Sequence, residues 1–392
     1  MESVVRLPAK DCCGCSACMC ICPFGCISME WDCGFLYPRI KDKKKCNGCG
    51  ACIRVCPSIN ADKLAGTDEE GYPITYGGWH IDDTVRFSSS SGGVFTALAQ
   101  SIFDRGGVVY GACFDESMTV IHAEATDEAS LSVMKGSKYV QSDVKDVFRK
   151  IEKKINNNIP VLFTGTPCQC AGLYCFFGKN SDNLFTAEVV CHGVPSPVIL
   201  KEYFSYLEEK HGEGSPIIGF SFRTKQRGWL QNGFQMGTVV QFASGKKVLF
   251  MPAYKDKFMV GFLCDVYLRP SCHNCKYKTI TKCYSNVSLA DFWGVKHISP
   301  ELNSKKGTSM IMVHNKKGQE LIESAGKFLE LMKVPHDEVY KHNPMILESC
   351  PENPKSTEFT EMLERKSFSK AARAYLSVFT WFCHQVKRRL SK

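Results

Sequence analysis

The chain has 392 residues, 44% hydrophobic and 23% charged, proportions expected of two or three soluble globular domains and not of a disordered or fibrous chain. Eight of its nine excess positive charges (Arg365, Lys366, Lys370, Arg373, Lys387, Arg388, Arg389 and Lys392) fall in the last 28 positions, which carry no acidic residue. This argues for a basic tail and against a nucleic-acid-binding groove. No apolar run approaches the ~18 residues of a membrane span, so no transmembrane helix is expected.

Cysteine is the outlier, with 23 residues, twelve of them among the first 56. A secreted disulfide scaffold would follow a signal peptide, and MESVVRLPAKDCC has neither an apolar h-region nor a cleavage site. A cytoplasmic metal protein is the expectation. The pattern Cys12-x2-Cys15-x2-Cys18-x3-Cys22-Pro23 recurs 34 residues later as Cys46-x2-Cys49-x2-Cys52-x3-Cys56-Pro57. Each run wraps three thiolates round one corner of a cubane, and the cysteine before proline reaches the other cluster. The expected [4Fe–4S] ligand sets are Cys12, Cys15, Cys18 and Cys56, and Cys46, Cys49, Cys52 and Cys22. Structural zinc favours paired C-x2-C knuckles and fits this register poorly. Cys13, Cys20, Cys26 and Cys33 fit no ligand slot and read as small buried hydrophobes.

Between the runs, ISMEWDCGFLYPRI predicts two short strands turning at Gly34, and residues 60–84 read as a polar linker. SSSSGGVFTALAQSIFDRGG predicts a Ser/Gly loop feeding a helix that stops at Gly106 and Gly107. VVYGACF and VIHAEAT read as strands, DEASLSVMKGS as a capped helix, KDVFRKIEKKINN as an amphipathic helix. PVLFTGT and AEVVCHG are buried strands, followed by a helix over 196–209. IIGFSFRTK, GTVVQFAS and KKVLFMP form an antiparallel section, residues 309–333 run strand then helix, and one helix begins at Phe368. Strands alternating with helices indicate an α/β sheet covered on its faces. The expected fold class is mixed α+β and α/β. A 2[4Fe–4S] ferredoxin-like domain occupies 1–66 and a larger mixed-sheet domain occupies 67–150 and 151–350. A basic helical tail occupies 351–392, whose Ala372, Tyr375, Phe379 and Phe382 could line one side of a helix. Such a helix could lie at an anionic membrane surface, pack on the domain, or bind an acidic partner.

Cys168 in GTPCQC, Cys191 in VCHGVPSP and the Cys272-x2-Cys275 pair form a second constellation, with Cys283 a competing candidate. A C-x2-C pair plus two thiolates could complete a third cluster, and each cysteine could equally be a packing residue. GTPCQCAGL, VCHGVPSP, FRTKQRGW, CHNCKY and LADFWG together resemble the coenzyme F420 hydrogenase/dehydrogenase beta-subunit family. SSSSGGVFTALA and KGSKYVQS extend the resemblance, which covers about residues 80 to 345. It implies FAD and a flavin-proximal [4Fe–4S] cluster held by Cys168, Cys191, Cys272 and Cys275.

A flavin joins two-electron substrates to one-electron clusters. Given the resemblance, Ser90, Ser91, Gly92 and Gly93 before the helix at Val94 suit a diphosphate. Lys135 and Lys138 would add a cation and Tyr139 a stacking ring. Arg223, Lys225 and Trp229 combine fixed charge with an aromatic plate for an anionic, planar partner such as deazaflavin. Asp291 could orient a flavin or ligand, and His192 could donate a proton. Their plainer readings are a packing turn and a structural histidine. The expected function is an iron–sulfur flavoprotein oxidoreductase working with a redox partner such as ferredoxin or a reductase subunit. Its small-molecule donor could be a reduced F420-like coenzyme. The alternative is a non-enzymatic electron-transfer subunit whose large domain only docks a partner.

Overall fold

The alternation in ISMEWDCGFLYPRI becomes β1 (Ile27–Asp32) and β2 (Phe35–Ile40), paired antiparallel. Their turn is Cys33 and Gly34, both at positive φ (46° and 81°), the two-residue geometry that matches right-handed strand twist. The internal repeat is also structural. Helices Ala17–Ile21 and Ala51–Arg54 each carry the third cysteine of a run, and each follows a left-handed residue, Ser16 (φ 65°) and Gly50 (φ 69°). This computed structural model describes residues 3–63, 66, 69–178, 181–226, 228–229, 237–279 and 282–382.

Eight strands build the main sheet: β3 (Ile74–His80), β4 (Val108–Phe114), β5 (Val120–Ala125), β6 (Val161–Gly165), β7 (Leu184–Val189), β11 (Val287–Asp291), β12 (Ser309–Val313) and β13 (Leu329–Lys333). Their order is β13-β3-β12-β11-β7-β6-β4-β5. The central run β11-β7-β6-β4 is parallel, and antiparallel pairs extend it on both sides. Apolar faces of helices Val94–Phe103 and Lys316–Ser324 bury against one sheet face with Val109, Leu162, Val287 and Ile311. The mixed sheet is the expected one.

The linker reading of residues 60–84 needs correction. Residues 74–80 lie in the segment read as linker, yet β3 is an interior strand between β12 and β13. Its glycines hid it: a Cβ at Gly78 would stand 2.4 Å from Glu330 O, and one at Gly77 2.5 Å from the Leu302 side chain. Close neighbours, not weak strand propensity, select glycine here. The antiparallel section, β8 (Ile217–Thr224), β9 (Gly237–Phe242) and β10 (Lys247–Phe250), is a separate three-stranded sheet.

The C-terminal segment is helical but not one helix from Phe368. Helices Ser356–Arg365 and Phe368–Tyr375 are followed by a further helical turn at 378–382. The break falls at Leu376, and the Ser377 hydroxyl then accepts from Thr380 N at 3.0 Å to start the new turn. Phe368, Ala371, Ala372, Leu376 and Trp381 are buried in the core of the larger domain. The tail thus packs on the domain. Tyr375 is half-buried, Phe379 and Phe382 are exposed, and Lys387, Arg388, Arg389 and Lys392 lie outside the described residues.

The ferredoxin-like segment sits on the larger domain through specific contacts. Gly172 in helix Pro167–Phe177 faces Cys15, and a Cβ there would meet its side chain at 2.8 Å. Ser196 Oγ donates to Gly34 O (2.7 Å), and Arg149 Nη2 to Cys22 O (2.7 Å). Cys13, Cys15 and Cys20 are buried with Phe148, Phe163 and Phe176.

Candidate functional site

The cysteines of the first expected set come together. Cys12, Cys15, Cys18 and Cys56 are all buried and line one small cavity with Met29, Pro38 and Pro57. Burial pushes the Cys56 thiol up to about 12, and burial plus the neighbouring Cys12 and Cys56 also pushes Cys18 well up. Thiols crowded in this way are poor anions alone and good ligands once a metal supplies positive charge. In the second set, Cys22 packs with Cys46 and Cys52, while Cys49 is exposed on its loop. Cys26 belongs in this group, which its spacing did not reveal: its Sγ lies 3.3 Å from Cys22 Sγ, and it also neighbours Cys46. Cys13 and Cys20 are buried as expected, but Cys33 is exposed at the hairpin turn.

The second constellation is assembled by the sheet. Cys168 and Cys191 follow the carboxyl ends of the adjacent parallel strands β6 and β7, where open α/β sheets present ligands. Thr166 and Gln169 form a capping box and Pro167 occupies the first helical turn, which fixes the Cys168 loop. Cys272 and Cys275 arrive on the short helix at Pro270–Asn274 and its C-cap. All four line one pocket and are half-buried. Burial raises Cys191 to about 11 and Cys272 to about 12, and Cys275 is close enough to Cys168, Cys191 and Cys272 to perturb each. Four thiols facing one pocket are a donor set that a [4Fe–4S] cluster could use. Cys283 lines the same pocket but turns to Ser285 Oγ (3.1 Å) and shares a buried group with Glu188 and His314, whose ligand atoms lie within 4.8 Å of one another. Ser288 joins that group, 2.7 Å from Glu188 Oε1 and 2.8 Å from His314 Nε2. Glu188, Ser288 and His314 carried no signal in the sequence because strand pairing alone unites them.

His192, beside Cys191, is held by buried Asp265 (Nε2 to Oδ1, 2.6 Å), with its ring edge-on to Phe262. Phe262 stacks on Tyr139 at 4.8 Å. Tyr139 OH accepts from Arg223 Nη1 (3.3 Å), and Arg223 makes a bidentate pair with Asp291 at 2.5 and 3.1 Å. Trp229 Nε1 donates to the same carboxylate at 3.0 Å. The residues expected around a cofactor are thus contiguous, but several are already engaged. Trp229 is only 1% exposed and offers no open plate. Lys225 Nζ donates to the carbonyls of Arg86, Ser91 and Lys306, and burial lowers its pKa to about 7. Lys138 Nζ caps the carbonyls of Val133, Met134 and Lys135, and burial lowers it to about 8. Ser90 Oγ accepts from Ser137 N (2.7 Å), Ser91 Oγ donates to Thr308 O (2.8 Å), and Gly92 N to Ser309 Oγ (2.9 Å). Gly93, the residue before helix Val94–Phe103, is left-handed at φ 90°. Lys135 is half-buried.

The repeated cysteine runs, the first with its four thiols lining one cavity, mark an iron–sulfur protein. Residues 75–149 match the model for the coenzyme F420 hydrogenase/dehydrogenase, beta subunit N-term, and residues 160–337 match that for its C terminus. The chain belongs to the coenzyme F420 hydrogenase/dehydrogenase beta-subunit family, an electron-transfer oxidoreductase family. Residues 39–87 match a 4Fe-4S dicluster domain, a span that contains the second cysteine run and begins after the first. A chain of the F420-reducing [NiFe] hydrogenase complex from Methanosarcina barkeri is 17% identical. That alignment covers 78% of this chain and 91% of that one, with a TM-score of 0.44. No curated protein matches the chain.

Proposed function

We propose that the chain is an iron–sulfur flavoenzyme. It passes electrons between a two-electron small molecule, of which a reduced F420-like coenzyme is the leading candidate, and a one-electron redox partner protein. Two [4Fe–4S] clusters at the N-terminal runs and a third at Cys168, Cys191, Cys272 and Cys275 carry the current. The observation that supports this most is the convergence of those four cysteines in a pocket that shares Cys13 with the cavity of the first run. FAD, when bound, exchanges hydride on one side and single electrons on the other.

Two buried donors fit an anionic cofactor: Arg223 Nε and Arg86 Nη2 have no hydrogen-bond partner among the described residues. Gly92 and Gly93 keep the neighbouring loop free of side chains. Asp291 holds the Arg223 guanidinium in a fixed plane, and Asp265 orients His192 toward the third-cluster pocket, where it can hold a proton. The engaged state of Lys225 and Ser91 favours a second reading, an electron-transfer subunit without flavin.

Anaerobic purification separates the two. Denaturation should release flavin, and a screen of reduced deazaflavin and NADH, with reduced ferredoxin as the one-electron control, should find a two-electron donor that bleaches the cluster absorption. A protein with clusters and no flavin establishes the second reading.

A further inference from the structure

We propose that Arg269 is a buried counter-cation shared by the first-run and third cluster sites, tuning both potentials upward together. The inference rests on the cluster assignment above. Arg269 is 0% exposed. Its donors reach only neutral acceptors: Nε to Cys12 O (2.7 Å), Nη1 to Gln141 Oε1 (2.7 Å) and Nη2 to Leu36 O (2.9 Å). Tyr37 and Phe35 cover it, their ring centres 4.4 and 5.3 Å from the guanidinium carbon. Among the described residues no carboxylate forms an ion pair with it. A buried charge without a counter-charge is among the costliest arrangements in a protein interior.

The missing anions lie on both sides. Arg269 lines the third-cluster pocket and precedes Cys272 by three residues, while its Nε holds the backbone of Cys12. Cys13 lines both cavities, so the two sites adjoin there. Gly14 makes the room: at φ 71° it is left-handed, and a Cβ there would meet Arg269 Nη1 at 2.8 Å. A cluster becomes more negative on reduction, and a fixed cation in a low-dielectric wall stabilises that form. When one electron crosses, one cluster is oxidised and the other reduced, and no proton or atom moves. Because the cation adjoins both sites, it raises the pair together and leaves the second-run cluster largely unaffected. Arg269 is thus a positioning residue for electrons.

The test is an EPR-monitored redox titration of the anaerobically purified holoprotein, with iron and sulfide counted in every variant. Arg269→Gln should lower the reduction equilibrium constants of the two adjoining clusters at least tenfold, about 59 mV for a one-electron couple, while Arg269→Lys keeps them near wild type. Arg269 also ties the hairpin to Cys12, so Arg269→Gln could lose its clusters. Gln141→Glu then decides, since it sets a carboxylate against the retained guanidinium and should lower the same two potentials. Unchanged potentials in iron-replete Gln141→Glu or Arg269→Gln overturn the proposal. A wild-type count of about eight irons would instead sink the third cluster, and the first-run potential would still carry the test.

Discussion

His122 on β5 shows how buried polar residues prepare the cluster sites. Its Nε2 donates to Thr164 O at 2.9 Å, and its Nδ1 accepts from Ser142 Oγ at 3.0 Å. Ser142 in turn accepts from Gln169 Nε2 (3.0 Å), and Gln169 Oε1 accepts from Thr166 N (2.9 Å), the cap that fixes the Cys168 loop. Burial depresses the His122 pKa to about 4 from its usual 6.5. Below pH 6.5 the unfolded chain takes up a proton that the folded chain declines, so stability falls with pH until about 4. At pH 5 the loss from this group is about 2 kcal/mol. In urea unfolding followed anaerobically by circular dichroism, His122→Asn should lose less stability than wild type between pH 7 and pH 5. Equal losses would show that His122 does not titrate this way. Single residues were unevenly legible. The cysteine runs could be read because a chelate spacing is local. Arg269, Cys13 and Glu188 could not, since their neighbours come from strands and loops distant in the chain.

The C-terminal helices are structural elements of the larger domain. The Phe368 ring centre lies 5.4 Å from that of Tyr203, tilted, and 6.4 Å from that of Phe359, edge-on, and the residue is 2% exposed. Phe368→Ala should cost about 3–5 kcal/mol by cavity formation, read as a lowered urea midpoint. Truncation before residue 368 should give insoluble protein, because it bares the face of helix Pro197–His211 that carries Tyr203. A soluble, fully folded truncation would return the tail to a peripheral role. Of the side read in the sequence, only Ala372 belongs to this buried set; Tyr375 is half-buried and Phe379 and Phe382 are exposed, because the break at Leu376 turns the later residues off that helix face. For β3 the pattern itself misled, since glycines demanded by close packing look like linker composition.

Taken whole, the molecule joins a cysteine-repeat segment to the carboxyl edge of a parallel-centred sheet, with Cys13 and Arg269 in the wall between them. The α/β alternation and the N-terminal repeat were legible as separate facts. Their junction was not, because it depends on docking: Gly172 against Cys15, Ser196 against Gly34, Arg149 against Cys22. On the proposed ligand assignment, this junction places three clusters in series. Iron and sulfide per chain, measured after anaerobic purification of wild type and of the Cys272→Ser/Cys275→Ser double variant, test it most directly. The account predicts about twelve irons in wild type and about eight in the variant. About eight in both would contradict it.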